Sequence, residues 1–383
     1  MSTRSSPLPL LCYADSETSA DMLYLAGFSV PDPFPALVMP DGETVGFFHP
    51  LEISRAQKES RFDRLVSTEA LKKEIGAGKR GVPERPGIDL LLACWLRKEG
   101  WKKVEVPADF PVGMAERLRR RRIAVGVRGG LAFPEREGKS EWECRQIRRG
   151  NQASARGFAR VRDILREAEI GGNGVLRWKG RVLTAERVRE EIEKACMEKG
   201  ALAGRVIAAC GEQACDPHCE GHGPWRAHEL IIVDIFPRLR DTGYHGDMTR
   251  TFLKGRAREG QKRLVATVRK AQKKALETIR EGVSGDKVHG DIVADFEAAG
   301  YETSLGSSPP RGFFHGTGHG LGLSVHEAPR VSPGAPALRA GQVITVEPGL
   351  YYPGLGGCRI EDVVVVQKQG AEILSRFPYR WQY

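Results

Sequence analysis

Acidic residues lie within or directly beside four runs of strongly β-forming residues in the second half of the chain. Asp234 lies in IIVDIF, Asp247 in HGDMTRTF, Glu347 in VITVEPG and Glu361 in CRIEDVVVV. A charged carboxylate in an apolar strand is costly unless it is paired or binds a metal ion. The four runs therefore predict a domain built on β-strands in which several acids need compensating partners.

A histidine flanked by glycines lies between these runs, at the centre of HGTGHGLGLSVHE. Four carboxylates brought together without cations would repel one another and raise one another's pKa. Two divalent ions would remove that repulsion. Oxygen ligands with one imidazole suit Mn²⁺, Co²⁺, Zn²⁺ or Fe²⁺ rather than a metal that selects thiolates. The alternative is a soluble α/β domain in which each acid finds a separate partner by coincidence.

The length and composition are those of an ordinary globular protein. The chain has 383 residues, enough for two domains, and its 40% hydrophobic and 28% charged content is usual. No apolar run approaches the length that spans a bilayer, and the first residues lack the long apolar core of a secretory signal. We therefore expect a cytoplasmic protein with no membrane partner.

Two features suggest other partners but lack the pattern that such partners need. The net charge of +10 comes largely from segments with helical periodicity, which favours solvated basic helix faces. Without aromatic residues between the basic ones, nucleic acid is not an expected partner. Cys210, Cys215 and Cys219 lie near two histidines in one short stretch. No second ligand pair follows at a distance that would complete a structural zinc site.

Hydrophobic periodicity divides the chain into two parts, joined by a polar link at 135–140. The first part alternates strands and helices, which predicts an α/β domain over residues 1–137. Ser140 followed by Glu143 is a capping-box signal that begins a long helix of the second domain, 138–383. The fold class is thus predicted to be α+β. The predicted strands are 36–39, 45–48, 103–106, 123–127, 203–209, 229–236, 249–254, 343–346 and 359–366, and the predicted helices are 88–98, 112–122, 140–169, 184–199, 259–280 and 285–299.

The order Asp, Asp, His, Glu, Glu, with GHGLGLSVHE, TVEPGLY and RIEDVVVV, closely resembles the family of prolidase, aminopeptidase P and methionine aminopeptidase. This resemblance covers about residues 139–383 and implies the pita-bread catalytic fold of that family. The N-terminal part resembles the creatinase/prolidase accessory domain through MLYLAGF, PDPFPALVMPDG, PLEISRA and VEVPADFP. That domain favours the Xaa-Pro peptidases, because methionine aminopeptidase resembles the catalytic half alone.

The resemblance implies a ligand role for each matching acid and for one histidine. Asp234 would bind one of two divalent ions, with Mn²⁺ the expected metal. Asp247 and Glu361 would bridge both ions, and His319 and Glu347 would complete the site. A hydroxide between the ions would be the nucleophile, and Glu347 would pass its proton to the leaving nitrogen.

Four further residues match positions near the substrate in the same family. His218 would face the scissile peptide, and His326 would stabilise the tetrahedral intermediate. His315 would line the proline pocket, and Arg359 would support Glu361 and the substrate side. The implied partners are a peptide that contains proline and a second copy of the chain in a homodimer.

The chain departs from the family pattern between its first two aspartates. Asp234 is followed by Ile-Phe-Pro237 rather than by a glycine at the second position, and the spacing to Asp247 is longer. An insertion inside a strand would aim Asp247 at the wrong face, because strand residues alternate between faces. Pro237 and Gly243 favour an insertion confined to the loop.

The predicted function is cleavage of peptide bonds next to proline, by an Xaa-Pro aminopeptidase or an Xaa-Pro dipeptidase. A methionine-aminopeptidase-like exopeptidase is the enzymatic alternative. A non-catalytic binding protein on the same fold is an alternative of another class. All five ligand types are present, which favours an enzyme.

Overall fold

The computed structural model describes residues 7–79 and 81–383. The chain divides into two compact units, an N-terminal unit that ends at Glu135 and a C-terminal unit that begins at Arg136. This division lies two residues before the boundary predicted from the sequence.

The N-terminal unit contains a six-stranded sheet with the order β4-β3-β2-β1-β5-β6. Strands β1, β2 and β3 pair antiparallel, and β4, β5 and β6 join in parallel. Leu10 and Cys12 pack into one apolar cluster and Leu11 into another, so both faces of the sheet are covered. The elements are β1 Leu10–Ala14, α1 Ala20–Ala26, β2 Phe34–Val38, β3 Thr44–Phe48, α2 Pro50–Glu59, β4 Arg64–Ser67, α3 Thr68–Glu74, α4 Ile88–Lys98, β5 Lys103–Val106, α5 Val112–Arg120 and β6 Ala124–Val127.

The C-terminal unit begins with a short 3-10 turn and the long helix α6. The predicted capping box is confirmed: Ser140 accepts from the backbone of Glu143, whose side chain accepts from the backbone of Ser140. The elements are α6 Glu141–Glu167, β7 Glu169–Ile170, β8 Leu176–Trp178, β9 Arg181–Val182, α7 Ala185–Met197, β10 Ala201–Leu202, β11 Val206–Cys210, β12 Ile231–Ile235, β13 Arg238–Leu239, β14 Met248–Phe252, α8 Glu259–Thr278, α9 Gly285–Ala298, β15 Gly318–Gly320, β16 Glu327–Val331, β17 Val343–Val346, β18 Gly349–Tyr352, β19 Gly356–Arg359, β20 Asp362–Val366 and β21 Ala371–Ile373.

Two apolar clusters hold this unit together. One packs helices α6 and α7 against the sheet β11-β12-β14. The other packs α8 and α9 against strands of the sheet β16-β15-β17-β20-β21 and against the hairpin β18-β19. Each half therefore has a helix pair on one side of its strands.

The prediction that the extra residues after Asp234 lie in a loop is confirmed. Strands β12 and β14 pair antiparallel, with Ile235 opposite Met248, so residues 236–247 lie outside their ladder. Within this loop, β13 pairs with β10. The register of Asp234 is therefore undisturbed.

The prediction of one continuous strand over 359–366 is wrong. Strand β19 ends at Arg359 and pairs with β18, whereas β20 begins at Asp362 and pairs with β17. The chain leaves one sheet and enters another between them. Glu361 lies in this break, where its backbone N–H donates to the carbonyl of Thr249 at 3.1 Å.

Candidate metal centre

Asp247 is positioned by a close backbone approach between helix α6 and the loop that precedes β14. A Cβ atom at Gly150 would collide with the backbone of Gly246, and one at Gly246 would collide with Gly150. Glycine at both positions lets Asn151 reach the loop, where its Oδ1 accepts from the backbone N–H of Asp247 at 2.9 Å. The Asp247 side chain is thereby fixed at the start of β14.

Asp234 lies inside β12, directly opposite Thr249 of β14. Its Oδ2 accepts from Nη2 of Arg359 at 2.9 Å. Its Oδ1 is buried and has no hydrogen-bond partner among the described residues. A buried carboxylate oxygen without a donor is costly, so this atom needs a further partner.

His319 occupies the middle of the short strand β15, and glycines on either side let other strands approach it. A Cβ atom at Gly318 would collide with the carbonyl of Thr345, and one at Gly320 with the carbonyl of Ala328. Nδ1 of His319 lies 3.2 Å from the carbonyl oxygen of Gly320, so this nitrogen carries the donated proton. Nε2 therefore faces the acids.

The acids of separate strands converge on this nitrogen. Nε2 of His319 lies 3.4 Å from Oε1 of Glu347 and 3.8 Å from Oδ2 of Asp247. One ligand atom each of Asp247, His319 and Glu361 lies within 4.8 Å of the others. Within the described part of the chain, these three residues form a group that could hold a metal ion. Asp234 and Glu347 lie next to it.

Burial and mutual repulsion perturb these groups strongly. Desolvation raises the pKa of Asp247 well above its usual value, and the charge of Asp234 raises it further. Desolvation, then Asp247 and Glu347, likewise raise the pKa of Glu361 well above its usual value. Burial lowers the pKa of His319, but the hydrogen bond and charge of Glu347 outweigh it and raise that pKa to about 9. Arg359, paired with Asp234, and His319 therefore do not offset the mutual repulsion of these acids.

The residues present fit divalent cations. Glu361 receives one side-chain hydrogen bond, from Thr249 at 2.8 Å, and Asp234 keeps an oxygen without a donor. The backbone carbonyl of Gly320 fixes the His319 tautomer that leaves Nε2 free for a metal, as outer-shell partners of ligating histidines do. An oxygen-rich group with one imidazole matches Mn²⁺, Fe²⁺, Co²⁺ or Zn²⁺.

A hydrogen-bonded relay runs from the cluster to His315. Nη1 of Arg359 donates to the Tyr351 hydroxyl at 2.9 Å, and that hydroxyl lies 2.8 Å from Nε2 of His315. Nδ1 of His315 lies 2.8 Å from the carbonyl oxygen of Gly316 and must donate to it, so Nε2 accepts from Tyr351. Burial lowers the pKa of His315 to about 4, so the ring is neutral.

His326 and His218 border the cluster and are both exposed. The rings of His326 and His319 meet edge to face, with centroids 4.3 Å apart. Desolvation, then the charge of His319, lower the pKa of His326 to about 4. His218 lies beside Pro217, whose carbonyl accepts from Nη1 of Arg359 at 3.3 Å. The structure therefore brings all nine residues named from the sequence to one region.

Three residues of this region were missed. Tyr351 forms the relay, Thr249 holds Glu361, and Asn151 holds Asp247. A signal existed for Thr249, because Asp247, Thr249 and Thr251 share one face of a strand at a period of two. For Tyr351 the signal was weaker: a tyrosine in a buried strand needs a partner for its hydroxyl.

Two other expectations concern the rest of the chain. In the described ranges, Cys210, Cys215 and Cys219 form no group that could hold a metal ion, and all eight cysteines are free. None of the helices within residues 7–79 and 81–383 is both long and apolar enough to cross a membrane.

Known proteins share both the sequence pattern and the fold. Residues 145–368 match the model of metallopeptidase family M24. A probable dipeptidase PepE of Mycobacterium tuberculosis is 32% identical over 250 residues, which are 63% of this chain and 59% of that protein. An Xaa-Pro dipeptidase of Pyrococcus horikoshii is 38% identical over 152 residues, which are 39% of this chain and 40% of that protein. The matched regions thus span about half the length of these relatives.

The prolidase from Pyrococcus furiosus has a similar structure, with a TM-score of 0.78 at 22% identity, covering 97% of both chains. This likeness confirms the predicted α+β architecture, an N-terminal domain followed by a pita-bread catalytic domain. The family model covers more than half of the chain, including the acids and histidines of the cluster. The chain therefore belongs to metallopeptidase family M24.

Proposed function

We propose that this protein is a dinuclear-metal hydrolase that cleaves peptide bonds next to proline, as an Xaa-Pro aminopeptidase or an Xaa-Pro dipeptidase. Membership of metallopeptidase family M24 implies that the chain binds divalent metal ions. The observation that carries the proposal is the convergence of Asp247, His319 and Glu361, from separate stretches of chain, to within 4.8 Å. The proline preference is supported by relatives named Xaa-Pro dipeptidase.

Five side chains would hold the metal ions: Asp234, Asp247, His319, Glu347 and Glu361. When bound, two such ions, with Mn²⁺ the expected metal, would neutralise the carboxylates and lower the pKa of water enough to supply hydroxide near neutral pH. Glu347, whose carboxylate is ionised beside His319, is the group that would take the proton of that water and deliver it to the leaving nitrogen.

His326 and His218 are suited to contact the reacting peptide because both are exposed beside the cluster. The His326 ring packs against His319, so a donor nitrogen there would face the oxygen of a tetrahedral intermediate. His218 would face the scissile peptide from the adjoining loop. In the described part of the chain, the ring nitrogens of His326 and His218 have no hydrogen-bond partner that would compete with substrate.

His315 and Arg359 would serve the substrate side in a different way. Both ring nitrogens of His315 are already bonded, to Gly316 and Tyr351, so the ring offers a flat surface for proline rather than a polar contact. One N–H of Arg359 donates to Asp234 and another donates to the Tyr351 hydroxyl. These bonds connect the proposed proline-binding side, Tyr351 and His315, to a proposed metal ligand. The positions of Tyr351 and His315 then depend on the position of the acidic cluster.

The test is a comparison of substrates on the metal-loaded protein. Purified protein, stripped by chelation and reloaded with Mn²⁺, is assayed against an Xaa-Pro dipeptide, an Xaa-Pro-Xaa tripeptide and matched peptides with alanine in place of proline. We expect cleavage only of peptides with proline. Preference for the dipeptide identifies a dipeptidase and preference for the tripeptide an aminopeptidase. Equal cleavage of the alanine peptides would contradict the proline preference.

Two alternatives give different outcomes when a Met-Ala peptide is added to this assay. A methionine-aminopeptidase-like enzyme would release methionine from a Met-Ala peptide and leave Xaa-Pro bonds intact. A non-catalytic binding protein would cleave none of the peptides and would purify without stoichiometric metal. The buried, donor-poor acids disfavour the second alternative, since without cations they would destabilise the fold.

A further inference from the structure

Glu327, the residue after His326, forms two short ion pairs with the segment that opens the C-terminal unit. Its Oε2 accepts from Nη2 of Arg136 at 2.6 Å, and its Oε1 accepts from Nζ of Lys139 at 2.6 Å. The side chains of Lys139 and Glu327 are only 1% and 11% exposed. Removing one member of a buried pair leaves an uncompensated charge, so these contacts are costly to break.

The same carboxylate also shapes the loop that carries His326. The backbone N–H of Ser324 donates to Oε2 of Glu327 at 3.3 Å. A Cβ atom at Gly322 would lie 2.6 Å from Oε1 of Glu327, so only glycine fits while the carboxylate is held in its pairs. The loop is tied at its other side as well, because the backbone N–H of His245 donates to the carbonyl of Gly322 at 2.9 Å.

The ring of His326 depends on this loop for its position. It is exposed, it packs against His319, and among the described residues it makes no hydrogen bond. A ring that no hydrogen bond fixes would sample several rotamers if its backbone moved. The strand pairing on this side is also irregular, with a register shift between His319 and Gly320.

We propose that Glu327 is a positioning residue, which Arg136 and Lys139 hold so that loop 321–326 presents His326 to the substrate. The role of His326 in this inference rests on the proposed function. The ion pairs of Glu327 with Arg136 and Lys139, here called the brace, do not. Both cations lie at the start of the C-terminal unit, just before α6. The two cations that would set the geometry of His326 lie 191 and 188 positions before Glu327 in the chain.

The first test is a double-mutant cycle on the Mn²⁺-loaded protein. Glu327→Gln removes both ion pairs but keeps the side-chain shape, and we expect kcat to fall at least about 10-fold with little change in KM and full metal content, as for outer-shell partners. In a His326→Ala background, the same substitution should have almost no further effect. An equal fall in both backgrounds would show that Glu327 does not act through His326.

A matched control breaks an exposed pair of the same chemistry. Glu198 pairs with Arg156 at 2.9 Å, with side chains 59% and 48% exposed. Glu198→Gln should leave kcat unchanged, because exposed ion pairs contribute little. If Glu327→Gln does not fold, Lys139→Met removes one pair alone and should lower kcat in the same direction.

Hydrogen–deuterium exchange tests the brace without any activity. In Glu327→Gln, amides of residues 321–326 should exchange faster, while those of β12 stay as in the wild type. Unchanged exchange in this loop would overturn the brace. If the wild type cleaves none of the peptides but the loop loosens, the proposed function fails and the brace stands.

Discussion

Glu361 and Asp362 are adjacent acids, both buried, at 2% and 0% exposure, yet their surroundings differ completely. Glu361 faces Asp247 and Glu347 and receives a side-chain hydrogen bond from Thr249. Asp362 faces only donors. Both of its oxygens are bonded twice, at 2.7 to 2.8 Å, by Arg250, Ser375, Gln272 and Tyr379.

The difference separates an acid that the protein itself satisfies from an acid that could bind a cation. The protein itself satisfies Asp362, and Arg250 also donates to the backbone carbonyl of Glu361 at 2.6 Å. The hydrogen bonds of Asp362 and Arg250 therefore fix the backbone at Glu361. Burial alone cannot identify a metal ligand; a buried acid that faces other acids and lacks donors is the one that needs a cation.

The largest expected effect is at the acids proposed as metal ligands. Asp247→Asn should reduce metal affinity by more than the roughly 10–100-fold lost with outer-shell partners, and activity should be abolished. The metal-free variant should fold as stably as the wild type or more so, because one of the repelling carboxylates is gone. Metal analysis and thermal unfolding with and without Mn²⁺ measure both.

The matched control lies in the same loop. Asp241 is exposed and pairs with Arg149 at 2.8 Å, so Asp241→Asn should change neither metal content nor activity. Near-native turnover in Asp247→Asn would remove the two-metal mechanism.

The second prediction concerns the structural acid. Asp362→Ala leaves the buried guanidinium of Arg250 without its carboxylate, which should cost about 3–5 kcal/mol of stability. The loss should be similar with and without metal, in contrast to Asp247→Asn. Denaturant unfolding at both conditions measures it. A variant that loses metal but keeps its stability would place Asp362 with the ligands.

The sequence was sufficient for the long elements and for naming the acids and the histidine that converge in the cluster. Helix α4 and strand β17 have the predicted bounds, because α4 shows a helical apolar pattern and β17 is an unbroken run of β-branched residues. Strands of two or three residues, such as β13 and β15, were not predicted, since they are too short to show a period and only their pairing with other strands defines them. The break at Glu361 was missed because consecutive β-forming residues carry no sign of a change of sheet.

The sequence could not supply the contacts that orient the site. The relay joins His315 to Tyr351 across 36 positions, and the Glu327 ion pairs span more than five times that distance in the chain. Spacing identifies candidate ligands, whereas the tautomers of His315 and His319 follow only from the carbonyls that face their Nδ1 atoms. These contacts depend on tertiary packing, so no local pattern encodes them.

The third prediction is a proton release on metal binding. The pKa values of Asp247, Glu361 and His319 are raised in the metal-free protein, so these groups retain protons that cations would displace. We therefore expect loading with Mn²⁺ to release protons, measured as acidification in a weakly buffered solution.

The same shifts predict opposite pH dependences of stability. For Asp247 and Glu361, a pKa raised by folding contributes stability that is fully present below the ordinary value of about 4 and is lost as pH rises through the raised value. Metal-free protein should therefore lose stability as pH rises above about 4, through these two groups. Metal-loaded protein, in which the cations keep the acids ionised, should gain stability over the same pH range. Identical pH profiles with and without metal would contradict a shared cation site.

The smallest expected effect tests whether the relay belongs to the site or to the scaffold. Tyr351→Phe deletes the hydroxyl that joins Arg359 to His315. Because His315 would lose the bond that orients its ring beside the substrate, kcat/KM should fall about 10-fold while metal content stays full. Tyr352→Phe is the control, because the next tyrosine donates to the carbonyl of Glu302 at 2.6 Å on the exposed side. If both variants lose only stability, Tyr351 acts as Tyr379 does beside Asp362, as a donor that completes a structural network.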